Sequence, residues 1–170
     1  MRYIAKGLQI FGALSLAAVI AALGYLTYAI ASNVDRENVA TKRSVAFVLN
    51  WGGLSTSQEY KVLSSFESAR SFTGDHLDHY CIQISNFSPS DNEKENWQQV
   101  SSLGSPAKEA AIEAQKNGNA SECFARDITN SDKTLAYVWS ATLHSSRITA
   151  YDIILFDPQT KRLLYVSDKT

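Results

Sequence analysis

The chain has 170 residues, 16 basic against 17 acidic, and two cysteines. Beyond residue 43 there remain eleven basic and fifteen acidic side chains, a formal net charge of −4. Gripping a phosphate backbone depends on clustered Lys and Arg, so this balance excludes nucleic acid as the main partner.

Residues 1–7 form a short basic head through Arg2 and Lys6. Residues 8–31, LQIFGALSLAAVIAALGYLTYAIA, contain no Asp, Glu, Lys, Arg, His or Pro. At 1.5 Å per residue a helix of that length reaches roughly 36 Å, enough to cross a ~30 Å hydrocarbon core with some tilt. A core helix would carry a polar stripe, and only Gln9, Ser15 and Thr27 interrupt this surface. Cleavage after Ala31 is the competing reading, because Ala29-Ile30-Ala31 has the small-x-small form of a signal-peptide site. Secretory apolar regions run about 7–15 residues, and this run is longer, so length favours an uncleaved signal-anchor. Lys/Arg counts on the two sides do not fix the orientation. The head abuts the run directly, whereas Arg36, Lys42 and Arg43 begin later, which favours an inside N-terminus. Tyr3, Tyr25 and Tyr28 sit where interfacial rings are expected. Ala13, Ala17 and Ala21 make a small-residue stripe, a pattern that permits close helix approach and is also common in Ala-rich spans.

Residues 32–43 read as a polar linker, and 44–170 as one exported domain of ordinary size. Its two cysteines, Cys81 and Cys123, are expected to form a disulfide if the domain is exported.

Within the domain, 44–50 (SVAFVLN) reads as a buried strand ended by Trp51-Gly52-Gly53. Tyr60, Leu63, Phe66 and Ala69 recur every three residues, which predicts a helix over 55–70 capped by Ser55 or Ser57. Alternation in 79–87 predicts a half-buried strand, and 91–100 a helical turn or two. Ser105 as cap, Pro106 at the first position and KEAAIEAQK predict the clearest helix, with Asn117-Gly118 as a left-handed stop. Three strands follow at 134–144, 147–156 and 162–167, joined by Ser145-Ser146 and by Asp157-Pro158-Gln159-Thr160. Leu135, Tyr137, Trp139, Ala141 and Leu143 are expected to face the helices, with Trp139 in the core and Thr142 on a solvated face. The class is therefore α+β: a transmembrane helix, then a small antiparallel sheet with helices on one face and a C-terminal three-stranded meander.

The densest set of potential ligands is Asp75, His76, Asp78 and His79, followed by Cys81. Imidazole and carboxylate suit divalent transition metals. In an extended segment His76 and Asp78 share one face while His79 and Cys81 share the other, so one ion does not readily gather all four. The alternative is a polar turn leading into a strand. Trp51, Gly52 and Gly53 are the interaction candidates, because glycine lets a backbone approach a ligand closely; the alternative is a turn with Trp51 packed on the core. No nucleophile elbow, phosphate loop, dinucleotide fingerprint or Cys-x-x-Cys occurs. The residues imply no cofactor. The expected function is a membrane-anchored interaction or ligand-binding module in an extracytoplasmic compartment. Its partners would be the bilayer through 8–31 and a protein of the membrane or envelope. The alternative is a small envelope hydrolase or metal-dependent enzyme using 75–79.

Overall fold

The computed structural model describes residues 2–118, 120–124, 128 and 131–170. The chain divides into two compact units, Met1–Val34 and Asp35–Thr170. The first is helix α1, Arg2–Ser32, about 46 Å long at the α-helical rise. Its Leu14–Ser32 segment has a mean hydropathy of 1.9 and is the one helix among the described residues long and apolar enough to cross a membrane. Thr27 Oγ1 donates back to the carbonyls of Leu23 and Gly24, so its hydroxyl needs no water. The side chains of Arg2, Tyr3, Lys6 and Ala13 lie outside the described residues.

The second unit begins inside the expected linker. Arg36–Glu37 (β1) pairs with the second strand, Asp35 accepts from the amide of Ala69, and the amide of Asn38 donates to Ser65. Next comes helix α2, Lys42–Trp51, where the sequence predicted a strand. The reason is local. Thr41 and Ser44 form a reciprocal capping box, and Val45, Val48 and Leu49, at i, i+3 and i+4, are all fully buried. The reverse error occurs at the predicted helix over 55–70, which is strand β2, Tyr60–Glu67. A bulge at Leu63 breaks the alternation: Tyr60 and Val62 pack on the α2 side of the sheet, while Leu63 and Phe66, three residues apart, both lie on the other. The three-residue spacing was the trace of that bulge.

Strand β3, His76–Ile84, starts three residues before its expected beginning. Two single 3₁₀ turns flank the short β4, Trp97–Gln99, in place of the helical turns expected over 91–100. Helix α3, Ala107–Asn117, forms as predicted, but its start carries no side-chain cap from Ser105. Gly118 ends it at φ −81° rather than in the left-handed region. Glycine is needed there for space: a Cβ would come within 2.6 Å of Val166 Cγ2. The short α4, Ala120–Cys123, was not foreseen. The meander is present as β5 (Leu135–His144), β6 (Arg147–Asp157) and β7 (Arg162–Lys169). Ser145 and Ser146, both at positive φ, make its first turn, and Asp157 accepts from the Gln159 amide and the Thr160 hydroxyl to shape its second.

The seven strands among the described residues form one antiparallel sheet in the order β1-β2-β3-β7-β6-β5-β4. Helices cover both faces, not one. Ile153, Leu155, Leu164 and Val166 pack with Ala110, Ala111 and Ala114 of α3. The intervening Ile154, Phe156, Leu163 and Tyr165 pack with Val45, Val48 and Leu49 of α2. Central strands buried on both sides carry continuous apolar runs, as DIILF and RLLYV do. Cys81 of β3 and Cys123 of α4 are disulfide-bonded, with Cα atoms 5.6 Å apart, so the bridge ties the α3 side to the sheet.

Candidate functional site

Helix α2 covers part of its sheet face, and a row of polar side chains runs across the same face. The strand registers align Glu67 with Asp78, Asp78 with Ser167, Ser167 with Asp152, and Asp152 with Ser140, across β2, β3, β7, β6 and β5. Both oxygens of Asp152 are occupied. Ser140 donates to Oδ2 and Ser167 to Oδ1, each at 2.7 Å. Arg70 pairs with Asp78 Oδ2, and Arg36 pairs with Glu67 at 3.0 Å. Tyr80 also donates to Glu67, at 2.6 Å. Asp78 is only 8% exposed, and its Oδ1 has no hydrogen-bond partner among the described residues. Burial raises the Tyr80 and Tyr165 phenols, Tyr165 to about 12, and the carboxylates around them add to the effect.

An aromatic ridge borders this row. Phe47 and Trp51, one turn apart on α2, have ring centroids 5.2 Å apart, and Trp51 meets Trp139 of β5 at 5.1 Å with the planes tilted by 31°. Tyr165 meets Trp51 edge-on at 5.7 Å and stacks on Tyr80 at 5.6 Å. Trp139 is 59% exposed and Phe47 51%. Trp139 is therefore not a core residue, contrary to expectation. A register shift between Val138 and Ser140 makes it the extra residue of a bulge; it stays on the α2 side, against Trp51, but mostly exposed. Leu143, expected on the packed face, is also exposed.

The sequence candidates separate. Asp75 lies in an exposed turn, and the Thr73 hydroxyl bonded to it holds its carboxyl below the usual range. His76 Nδ1 donates to the carbonyl of Gly74, and its Nε2 lies 3.0 Å from Ser167 Oγ, which joins it to the polar row. Asp78 is in that row. His79 is on the opposite face, stacked on Phe66 at 5.4 Å; burial lowers its imidazole pKa against the opposing charges of Glu122 and Asp78. It borders a cavity of about 380 Å³ with Glu37, Ser64 and Glu122. Among the described residues no three His, Cys, Asp or Glu side chains are grouped to hold a metal ion. Ser167 has a carboxylate at hydrogen-bond distance, but it is 7% exposed and its hydroxyl is directed at Asp152.

Of the interaction candidates, Trp51 is in the ridge while its two glycines serve the fold. Trp97 Nε1 donates to the carbonyl of Gly52 at 2.9 Å, and Gly53, at φ +66°, lies against Glu93. The sequence reading missed Phe47, Arg70, Ser140, Asp152 and Ser167. One signal was available: Asp152 is a lone carboxylate inside the apolar run of β6, and a charge in a doubly covered strand calls for a reason. No protein-family model, curated protein or solved structure matches the chain.

Proposed function

We propose that the chain is a single-span, membrane-anchored module. Its exported α+β domain binds a partner through the aromatic ridge Phe47–Trp51–Trp139 and the polar row beside it. The observation that carries this reading is the exposure of Phe47 and Trp139 at either end of a run of three tilted rings in contact. Contiguous apolar surface rimmed by polar groups marks interaction sites, and buried Trp and Arg anchors dominate binding energies. An exposed apolar helix and a domain carrying a disulfide support the anchor and the export.

Affinity capture of the intact protein from membranes tests the reading. Wild type should retain a partner that Trp139→Ala loses, with the Cys81–Cys123 bond and the circular dichroism spectrum unchanged. Equal capture by both proteins would refute it.

A further inference from the structure

The outer edge of β5 is open. Strand β4 pairs only with Leu135, Ala136 and Tyr137, and no strand among the described residues pairs with 138–144 on that side. That leaves about 23 Å of edge, at the usual rise per residue. Its residues 138–143, VWSATL, include no charge and no proline, two of the devices that shield an exposed edge; a third, the bulge, is present, with register shifts between Val138 and Ser140 and between Thr142 and Leu143. Each side of this stretch has its own chemistry. Val138 and Ala141 pack toward the α3 core, and Leu143 pairs with Ile148, which packs there too. Ser140 bonds to Asp152 on the α2 side, and Thr142, two residues on, shares that side.

We propose that two copies of the chain pair edge to edge along β5, antiparallel, about a two-fold axis at Ala141. With Trp139 left in its bulge, that register sets Ala141 against Ala141, Ser140 against Thr142, and Val138 against Leu143 of the second copy. Every pair then matches, hydroxyl with hydroxyl and apolar with apolar, on the correct side of the sheet. A groove of about 330 Å³ lies along the same edge, bordered by Leu103, Pro106, Ala107, Val138 and Ala141. Leu143, 39% exposed, is the apolar side chain that this register delivers to the groove from the second copy. The neutrality of the edge also lets two domains, each of net charge −3 over residues 35–170, meet without facing like charges. The pairing does not depend on the ridge or on the membrane reading, since neither Ala141 nor Leu143 belongs to either.

Single-cysteine cross-linking of the full chain in detergent micelles tests it. Both native cysteines are in the disulfide, so an added thiol reports alone. Ala141→Cys should form a disulfide-linked dimer about 100-fold faster than Lys61→Cys, placed on the exposed side of β2, because pairing makes the thiol encounter effectively intramolecular. Adding Leu143→Asp to Ala141→Cys should lower the rate to that of Lys61→Cys. Equal rates for Ala141→Cys and Lys61→Cys overturn the proposal, and so does a fast rate that Leu143→Asp leaves unchanged.

Discussion

Trp51 and Trp139 lie ring against ring, centroids 5.1 Å apart and planes inclined by 31°, although one ends a helix and the other bulges from a strand. The contact holds one face of Trp139 while the residue as a whole stays mostly exposed. A rigid, half-supported indole loses little conformational freedom on binding, which is why tryptophan anchors interfaces so often.

Two tryptophans in the same domain should behave differently. Trp97 is buried against Phe87 and Tyr137 and donates to Gly52. Trp97→Ala should cost about 3–5 kcal/mol, as large core truncations do. Trp139→Ala should cost about 0.5–1.5 kcal/mol, the worth of an aromatic pair. Urea denaturation of the two variants measures both, and equal losses would place Trp139 back in the core.

The Cys81–Cys123 bond closes a separation of 42 residues. Loop closure of that size stabilises by about 4 kcal/mol. Reduction should therefore lower the melting temperature on the order of 10–20 °C. Non-reduced, denatured protein should also resist thiol alkylation.

How much was legible in the sequence depended on whether a signal was local. The apolar run of α1 and the two turns of the meander rest on short-range chemistry, and the disulfide on there being only two cysteines to pair; all appear in the structure. Residues 44–50 and 55–70 exchanged their predicted states for reasons that need neighbours. Val45, Val48 and Leu49 fit a strand run and a helix stripe equally well until Thr41 and Ser44 cap them. Leu63 and Phe66 imitate helical spacing because a bulge inserts a residue at Leu63, while Tyr60 falls on the other side of the sheet. A second bulge falls at Trp139, which meets Trp51 on the α2 side yet stays mostly exposed. The site was less legible still, since the row from Glu67 to Ser140 exists only through five-strand register. The segment 75–79 contributed His76 and Asp78 to that row, and strand alternation sent His79 away, as its spacing implied.

Acid should weaken the fold through His79. Its folded-state pKa is lowered, chiefly by burial, so below the ordinary value of about 6.5 the unfolded chain takes up a proton that the folded one resists. Stability therefore rises with pH through this window and falls as pH drops below it. Urea midpoints at pH 7.5 and 5.5 measure the slope. His79→Gln should flatten it, whatever its effect on stability at pH 7.5, and an unchanged slope would assign the dependence to other groups.

If residues 8–31 are an uncleaved span, the protein should stay with membranes through carbonate washing and keep its original N-terminus. A soluble form beginning at Ser32 would instead show cleavage after Ala31.

Site-specific photo-cross-linking in intact membranes tests the binding account most directly. A benzophenone side chain at position 47 lies at one end of the ridge; at position 72 it replaces a fully exposed phenylalanine, in the β2–β3 loop. Position 47 should give one discrete adduct that Trp139→Ala abolishes, and position 72 should give none. Adducts of equal yield at both positions, or an adduct at 47 that survives Trp139→Ala, would contradict the assignment of the ridge as the binding surface.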